Sequence, residues 1–550
     1  MPVITLHYDR LLALLRRPLS KPNLVETLPY LGLDIEEEAE EYVRVEFNPN
    51  RPDFSSEWGI ARALNGLLGF ETGAPRYQVG RSGVAVKVDE SILDVRPFFV
   101  GAVVKNVELD DESIRQLMAM QDDLDNGLGR RRSKVSTGLH NLDAVKPPFT
   151  YKAVPPSFEF TPLGQGRKMS MTEILSEVET GQKFGHILKD FSKYPVIVDR
   201  EGTVLSFPPV VNGEATRVST ETRNMFIDIT ATDGKAAEDV LAVLLAALAD
   251  QGAQLESIEV NYPSSRSVTP NLASTKMNVE QSYINGLLGL NFSQEEFTEC
   301  LKRSRLGVEQ VNETITVEVP RYRSDILHPV DIVEEVEIGY NVVNLTPTFP
   351  ASTDVGRLSS RLSALDAARE VLIGLGLIEV MNYSLISREM LVSMKGGAEL
   401  SRELRVENPK SGEHEYLRGS LIASLLSTLS KNIHEEYPQK IFEIGKVFYR
   451  GEDGEPREEY RVAVALAHAE ANYTEAKSYL ASFLKQLLGA ECVTVPSDYP
   501  VYALGRAAEI QVVSKDIGRI GEIAPAVLDG YSLRVPVSAF ELRIEAILKV

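Results

Sequence analysis

The spacing of apolar positions divides the chain into four regions, of which the first covers residues 1–90. There, a strand is predicted at Tyr42–Phe47, and Ser55–Glu57 begins a helix whose apolar residues recur at helical intervals. Asn48–Pro52 between them cannot be regular, because its prolines lack a backbone donor and bias the preceding residues away from helix. We therefore predict a small N-terminal domain of mixed helix and strand.

The second region, residues 91–265, alternates strands with helices. Strands are predicted at Phe98–Val107 and Met225–Thr230, and helices at Asp111–Leu128 and Ala236–Asp250. This pattern indicates a domain of the α+β or α/β kind.

The third region, residues 266–345, is short and combines helices with a hairpin. Helices are predicted to begin at Asn278 and at the capping box Ser293–Glu296. A hairpin over Val308–Val319 follows and turns at Asn312–Glu313. Two helices followed by a hairpin predict a small winged-helix-like module.

The fourth region, residues 346–550, mixes predicted helices and strands. Its predicted helices are Leu358–Gly374 and Leu417–Ile433, and its predicted strands contain Glu379–Leu385, Lys440–Tyr449, Ala507–Val513 and Val535–Leu542. Together, the four regions predict a multidomain α+β protein with domain boundaries near residues 90, 265 and 345.

Composition narrows the class of protein. The 550 residues exceed what one hydrophobic core holds, and 43% hydrophobic with 25% charged residues exclude a disordered chain. The two cysteines lack metal-ligand spacing, the apolar runs are too short for a membrane, and the N-terminus lacks a basic flank. We therefore expect a cytoplasmic protein with no membrane partner.

Charge argues against general binding of nucleic acid, since the net charge is −21 and phosphates require clustered cations. Any RNA contact therefore needs a local patch or a partner chain. Arg130–Lys134 is such a patch, and a solvated basic loop explains it equally well.

The acidic segment that begins at Asp325 carries the most informative polar pattern. Pro329 suits the first turn of a helix, and Asp331, Glu334 and Glu335 then fall on one helix face. Asp325 precedes the helix and is expected to fold back onto this face. Four converging carboxylates without basic neighbours repel each other, and a hard cation such as Mg²⁺ would relieve the repulsion. A solvated acidic helix face is the commoner outcome, so the spacing leaves both interpretations open.

A second kind of information comes from short segments spread in order along the chain. They are Asn50–Phe54, Gly59–Arg62, Pro320–Glu335, Asn408–Pro409, Leu417–Ile422, Ile441–Phe448, Gly518–Glu522 and Pro536–Glu541. Taken together, these segments resemble the β chains of phenylalanyl-tRNA synthetases, and the ordered set is far more specific than any one piece. The chain length and Ser206–Asn212 are similar to the archaeal and eukaryotic branch of that family.

This resemblance implies a function for each region. Residues 91–265 would be an editing domain, and residues 346–550 a class II synthetase-like domain with an antiparallel sheet and without an active site. An α subunit would use ATP to charge tRNA(Phe) with phenylalanine, in an α₂β₂ heterotetramer. The Mg²⁺ ligands that the resemblance implies are four acidic residues, Asp325, Asp331, Glu334 and Glu335.

The resemblance further implies a site that hydrolyses tyrosine attached by mistake to tRNA(Phe). A pocket built for phenylalanine rejects an added hydroxyl only modestly, whereas a site built to bond that hydroxyl rejects phenylalanine strongly. Asp228 and Thr230 alternate onto one face of a predicted strand with apolar residues between them, so we expect both in this pocket. The other residues predicted for it are Leu205, Asn212 and His140, and a structural role explains His140 equally well. No Ser-His-Asp or Cys-His constellation is evident, so water activation is expected to use the substrate's own hydroxyl.

Two other functions fit the same residues. One is a free-standing deacylase that removes amino acids from mischarged tRNA without an α partner. The other is a tRNA-binding scaffold whose editing pocket is inactive. Purification of the lone chain and substitution of Asp228 distinguish these functions from the main one.

Overall fold

The fold is that of a computed structural model, which describes residues 2–311, 314–350, 352, 354–395, 400 and 403–547. The chain divides into two compact units, Met1–Phe349 and Pro350–Val550. The turn predicted at Asn312–Glu313 lies outside the described residues. Across the described ranges, no helix is both long enough and apolar enough to cross a membrane.

The first unit begins with a three-stranded antiparallel sheet covered by helices. The elements are β1 (Val3–His7), α1 (Tyr8–Ala13), α2 (Lys21–Thr27), β2 (Asp34–Glu38), β3 (Tyr42–Glu46) and α3 (Glu57–Leu67). The strand order is β1-β3-β2. As predicted, α3 starts at a serine cap, because the Ser56 side chain accepts a hydrogen bond from the Gly59 N–H.

The centre of the first unit is a ten-stranded mixed sheet with the order β12-β11-β10-β7-β4-β14-β5-β13-β6, to which β15 adds by pairing with β14. The strands are β4 (Val79–Val88), β5 (Phe98–Lys105), β6 (Val135–Asn141), β7 (Phe149–Val154), β10 (Tyr194–Val198), β11 (Val204–Phe207), β12 (Val211–Asn212), β13 (Asn224–Ala231), β14 (Gln254–Asn261) and β15 (Arg266–Thr269). The remaining elements are α4 (Asp111–Asn126), the ribbon β8 (Glu159–Phe160) with β9 (Met169–Ser170), α5 (Met171–Glu177), α6 (Glu179–Phe184) and α7 (Gly234–Asp250).

The two faces of this sheet bury different side chains. Ile227 and Ile229 of β13 pack with residues of α4 and α7 in one core. Phe226 of the same strand packs on the opposite face, with Leu205 and Phe149. As predicted, the period of two along β13 places Asp228 and Thr230 on one face of the strand, and this face is opposite the helices.

The first unit ends in a small module with three helices and a three-stranded sheet. Its elements are β16 (Thr275–Glu280), α8 (Gln281–Leu288), α9 (Gln294–Arg303), β17 (Gly307–Val311), β18 (Thr314–Val319) and α10 (Pro329–Tyr340), with the strand order β16-β18-β17. The capping box of Ser293 and Glu296 and the position of Pro329 at the start of α10 are confirmed. The helix predicted to begin at Asn278 is wrong, because Asn278 pairs with Thr316 of β18 and the helix begins only at Gln281.

The second unit is built on a seven-stranded sheet with the order β19-β22-β23-β27-β26-β25-β24, antiparallel except between β19 and β22. Its strands are β19 (Ile378–Glu379), β22 (Gln439–Arg450), β23 (Pro456–Ala467), β24 (Val493–Pro496), β25 (Tyr502–Val512), β26 (Lys515–Ile523) and β27 (Val537–Arg543), with β20 (Leu385–Ile386) and β21 (Tyr416–Leu417) paired separately. Its helices are α11 (Ser360–Gly374), α12 (Arg388–Lys395), α13 (Ile422–Lys431), α14 (Tyr473–Leu488), α15 (Pro525–Gly530) and α16 (Ile544–Ile547).

Two predictions for this unit are wrong in detail. The single strand predicted over Glu379–Leu385 is instead the ends of two short strands that belong to different sheets. The helix predicted from Leu417 begins at Ile422, because Leu417 pairs with Leu385. In both cases pairing between distant segments overrides the local pattern.

Candidate functional site

Asp228 lies at the centre of a polar site on the first unit's large sheet. Its strand, β13, runs between β5 and β6, so that Asp228 stands opposite Gly101 on one side and Gly138 on the other. The side chain is 2% exposed and borders a cavity of about 260 Å³. Asn212 and Ser206 border the same cavity, as do apolar residues that include Met118, Leu163 and Val211.

A hydrogen-bonded chain holds the Asp228 carboxylate. His140 Nε2 lies 2.5 Å from Asp228 Oδ2, and the Ser206 hydroxyl donates to the same oxygen over 3.3 Å. His140 Nδ1 lies 2.8 Å from the Thr216 hydroxyl. An ionised carboxylate only accepts, so Nε2 donates to Asp228. The Thr216 hydroxyl also donates to the Gly213 carbonyl over 3.1 Å.

Ser206, His140 and Asp228 meet in the structure, although no such constellation is evident in the sequence. Their order, however, places the aspartate between the other two, and the serine hydroxyl donates to the aspartate rather than to the histidine. A nucleophilic triad needs the histidine in the middle, where it can remove the serine proton. The set is thus arranged to orient a carboxylate, and Ser206 is not activated as a nucleophile.

Gly138 provides the space in which this carboxylate lies. A Cβ at this position would fall 2.3 Å from Asp228 Oδ2 and 2.6 Å from His140 Nε2. A larger residue would therefore displace the pair from the cavity wall. No local signal in the sequence indicated that Gly138 makes room for these two side chains.

Two other residues predicted for the pocket lie behind its wall. The Thr230 hydroxyl accepts from buried Arg96 Nε over 3.0 Å and lies 3.1 Å from the Ser136 hydroxyl. Burial lowers the pKa of Arg96 to about 10. Leu205 packs in the apolar core beneath Phe226. The structure therefore brings Asp228 and Asn212 to the cavity, with His140, Thr230 and Leu205 buried behind its wall as supporting residues.

Arg132, part of the basic patch, is also at this cavity. It donates to the carbonyls of Pro209 and Val210 over 3.4 and 3.2 Å, and it pairs with Asp125 over 3.1 Å. Burial raises the pKa of Asp125 to about 7, although Arg132 opposes the rise. Arg132 therefore makes contacts inside the protein and is not part of a solvated loop. The sequence pattern alone did not predict this.

The predicted acidic residues also come together, around a residue that the sequence analysis did not count. Arg323 is 1% exposed at its side chain and pairs with Asp325 over 2.7 Å and with Glu335. Asp331 accepts from the backbone N–H groups of Leu327 and His328 at the start of α10. The premise that the four carboxylates have no basic neighbour is therefore wrong.

The irregular segment Asn48–Pro52 faces this cluster. Asn50 and Arg51 line a cavity of about 210 Å³ together with Asp325, Glu334 and Glu335. Burial and the neighbouring carboxylates, first that of Glu335, raise the pKa of Glu334. Two sequence segments separated by more than 270 residues thus form one charged site.

Arg62 links this site to the rest of the first unit. It pairs with Asp53 over 3.3 Å and with Asp250 over 2.5 Å, and its guanidinium lies 3.9 Å from the centre of the Tyr322 ring. Burial alone would raise the pKa of Asp53, but Arg51 and Arg62 lower it to about 2. The charges here compensate one another within the chain.

As arranged, the acidic cluster does not fit a magnesium site made by all four carboxylates. Mg²⁺ needs near-octahedral oxygen ligands, whereas oxygens of Asp325 and Glu335 already accept hydrogen bonds from Arg323. Among the described residues, no group of three or more acidic, histidine or cysteine residues has the geometry of a metal site. Binding by the four residues would require Arg323 to release its partners.

Comparisons with known proteins agree with the resemblance found in the sequence. A profile of the phenylalanyl tRNA synthetase beta chain CLM domain matches residues 345–544, and one of the tRNA synthetase B5 domain matches residues 277–341. The phenylalanine–tRNA ligase β subunit of Archaeoglobus fulgidus is 40% identical over 548 residues, which cover 99% of this chain and 98% of that one. The chain belongs to the phenylalanine–tRNA ligase β subunit family.

Other β subunits extend this relationship. That of Methanococcoides burtonii is 37% identical over 98% of this chain and 99% of its own length. A crystal structure of an N-terminal fragment of the phenylalanyl-tRNA synthetase β subunit from Pyrococcus horikoshii matches with a TM-score of 0.60 and 36% identity, covering 62% of this chain and 99% of the fragment. The predicted family, including its archaeal type, is confirmed, and the chain is a subunit of an aminoacyl-tRNA synthetase.

Proposed function

We propose that this β subunit hydrolyses tyrosine from mischarged tRNA(Phe) at the cavity beside Asp228, while an α subunit carries out aminoacylation. The observation that carries the proposal is a buried carboxylate held at the wall of a cavity by His140 and Ser206. An oriented acceptor among apolar residues is what recognition of the tyrosine hydroxyl requires.

The hydrogen bonds to Asp228 leave one oxygen for the ligand. Within the described part of the chain, both side-chain hydrogen bonds to Asp228 go to Oδ2. Oδ1 is then available to accept from a tyrosine hydroxyl. Phenylalanine in the same position would bury this oxygen without a partner, which disfavours its entry strongly.

Hydrolysis then needs a water molecule near the ester rather than a protein nucleophile. Ser206 already donates to Asp228, so it is poorly placed to attack. Asn212 lies at the cavity, and its amide donates to the Leu139 carbonyl over 3.5 Å. In this proposal the protein positions the ester and the terminal ribose hydroxyl of the tRNA assists the water.

The test is deacylation of tyrosyl-tRNA(Phe) by the complex assembled with an α subunit. Asp228→Ala should slow deacylation about 10- to 100-fold, the range for loss of a hydrogen bond to a charged group. Charging with phenylalanine should be unchanged. Asp143→Ala, which changes an acidic residue outside the cavity, is the matched control. Equal deacylation by the wild type and Asp228→Ala would refute the assignment.

The α subunit is proposed to bind an exposed apolar surface on the second unit. This surface is formed by Leu362 and Ile373 of α11, Ile378 of β19, and the following Met381 and Tyr383, all of them exposed. Leu362 and Ile373 are eleven residues apart, so they fall on the same side of the helix. β19 is an edge strand of the seven-stranded sheet, and Arg369 of α11 pairs with its Glu379 over 2.8 Å.

Exposed apolar surfaces of this kind are typical of sites that bind another protein. We therefore expect Ile378→Lys to abolish the α₂β₂ heterotetramer in size-exclusion chromatography with light scattering. Leu504→Lys, which changes an exposed apolar residue elsewhere in the same unit, should leave assembly intact. Assembly of the Ile378→Lys chain would place the α subunit on another surface.

The lone chain distinguishes the two alternatives. A stable lone chain that deacylates tyrosyl-tRNA would favour the free-standing deacylase. A wild-type complex that binds tRNA(Phe) but does not deacylate it would favour the scaffold. The Mg²⁺ cofactor and its four ligands stay a prediction, since the pairing of Arg323 with Asp325 and Glu335 has to change first.

A further inference from the structure

The second unit contains a cavity of about 550 Å³ that has no role in the functions above. Its interior is bounded by apolar side chains of Ile386, Leu391, Met394 and Ile422, all of them buried. The volume lies within the range of about 300–1,000 Å³ that small-molecule pockets occupy. The cavity is therefore large enough for a compact organic ligand.

One polar group in this cavity has no partner. The Tyr502 side chain is 5% exposed, and its hydroxyl makes no hydrogen bond within the described residues. Burial, and then the carboxylate of Glu541, raise the pKa of this hydroxyl, so it remains a donor. Buried polar groups are nearly always paired, and a ligand acceptor in the cavity would supply the missing partner.

A charged group, the guanidinium of Arg519, also lies at this cavity. The guanidinium of Arg519 stacks 3.9 Å from the centre of the Tyr499 ring, and both residues line the cavity. None of the carboxylates in the described ranges forms an ion pair with Arg519, although Arg461 nearby is paired with Glu541 over 2.9 Å. Stacking fixes the plane of the guanidinium and leaves its N–H groups to bind a carboxylate or a phosphate.

These features complement one another along the cavity. Arg519 is exposed and Tyr502 is buried, so the anion-binding group lies towards solvent and the unpaired hydroxyl lies inside. The apolar walls are interrupted by the carboxylates of Glu403 and Glu541, and Glu541 is paired with Arg461 over 2.9 Å. We propose that this cavity binds a small organic anion whose carboxylate or phosphate meets Arg519 and whose apolar body ends in an acceptor at Tyr502.

The test uses two probes that share one body and differ in the charged head, 4-methoxyphenylacetate and 4-methoxyphenyl phosphate. Each is titrated into the full chain, labelled at isoleucine methyl groups, by nuclear magnetic resonance. Saturable shifts of the Ile386 and Ile422 methyl signals are expected with at least one probe. The probe that binds more tightly shows whether the site prefers a carboxylate or a phosphate as the charged group of its ligand. Neutral methyl 4-methoxyphenylacetate should bind at least about tenfold more weakly.

Variants separate this site from non-specific binding. Arg519→Gln should weaken the better probe about 10- to 100-fold, and Tyr502→Phe about 2- to 10-fold. Tyr502→Phe keeps the ring that packs in the core, so the fold is preserved. Arg457→Gln, which removes an exposed arginine outside the cavity, should leave affinity unchanged. The proposal is overturned if neither probe gives saturable shifts, or if Arg519→Gln and Tyr502→Phe bind as well as the wild type.

Discussion

Replacement of Arg323 by methionine tests whether the charges of the acidic cluster are compensated within the chain. Methionine keeps an unbranched apolar stem of similar reach and removes only the guanidinium. Asp325 and Glu335 lose the cation that pairs with both of them. Glu334 and Asp331 lie close by, so the variant concentrates negative charge around α10.

The magnitude follows from burial. The side chains of Arg323, Asp325 and Glu335 are 1%, 10% and 5% exposed, so solvent screens the pairs poorly. Removing one partner of a buried ion pair costs about 3–5 kcal/mol, because the other charge stays buried without compensation. We expect a loss of about 4 kcal/mol in the free energy of unfolding, in buffer without divalent ions.

Trp58 provides the assay, since it is the one tryptophan in the sequence and lies in the same unit, in a core that also contains Tyr322. Urea unfolding followed by its fluorescence reports on the first unit alone. Arg303→Met is the matched control, because Arg303 forms an exposed pair with Glu299 and should cost less than about 0.5 kcal/mol.

Repeating the unfolding experiment with Mg²⁺ gives a second test. The carboxylates freed in Arg323→Met could then hold a hard cation, and a ligand at 100 times its Kd recovers about 2.7 kcal/mol. The wild-type chain, in which Arg323 pairs with Asp325 and Glu335, should gain less than the variant. The reasoning fails if Arg323→Met loses less than about 1 kcal/mol, or if Mg²⁺ stabilises the wild type as much as the variant.

Three further predictions concern single side chains. Gly138→Ala should slow deacylation of tyrosyl-tRNA(Phe) at least about tenfold and should lower the free energy of unfolding by about 1–3 kcal/mol. The control is Gly166→Ala, where nothing lies within 4 Å of the new Cβ, and it should change neither quantity. The pKa of Asp125 is raised by burial to about 7, so the folded chain holds a proton that the unfolded chain releases, and stability falls as pH rises from about 4 to 7. Asp125→Asn should remove about 2 kcal/mol of that fall between pH 5.5 and 7 in urea unfolding, and an unchanged slope would contradict the assignment. Tyr502→Phe removes an unpaired buried hydroxyl and should raise the free energy of unfolding of the second unit by about 1–3 kcal/mol, measured by hydrogen exchange, unless a ligand is bound.

Features set by a few neighbouring residues were predictable from the sequence. The capping box of Ser293 and Glu296, the start of α10 at Pro329 and the inward alternation of Asp228 and Thr230 all depend on local spacing. The same reasoning failed at Asn278, since its strand forms only through pairing with β18.

The charged neighbours of each site were harder to predict from the sequence. Arg323 is two residues before Asp325, yet nothing in the spacing showed that its side chain turns onto Glu335 as well. The contacts of Asp228 come from β6 and β11, and the Thr216 beside His140 comes from a short 3-10 helix, Glu214–Thr216. Such groupings depend on strand order, which hydrophobic period does not encode.

The contacts of Arg62 have a consequence for how the chain is made. Its partners Asp53, Asp250 and Tyr322 are spread over 270 residues, and two of them are synthesised well after Arg62 itself. At roughly 5–20 residues per second, a ribosome needs about 13–52 s to advance from Arg62 to Tyr322. During that interval α3 carries a cation whose final environment does not yet exist. We therefore expect the contacts around Arg62 to be completed only after the Tyr322 segment has left the ribosome.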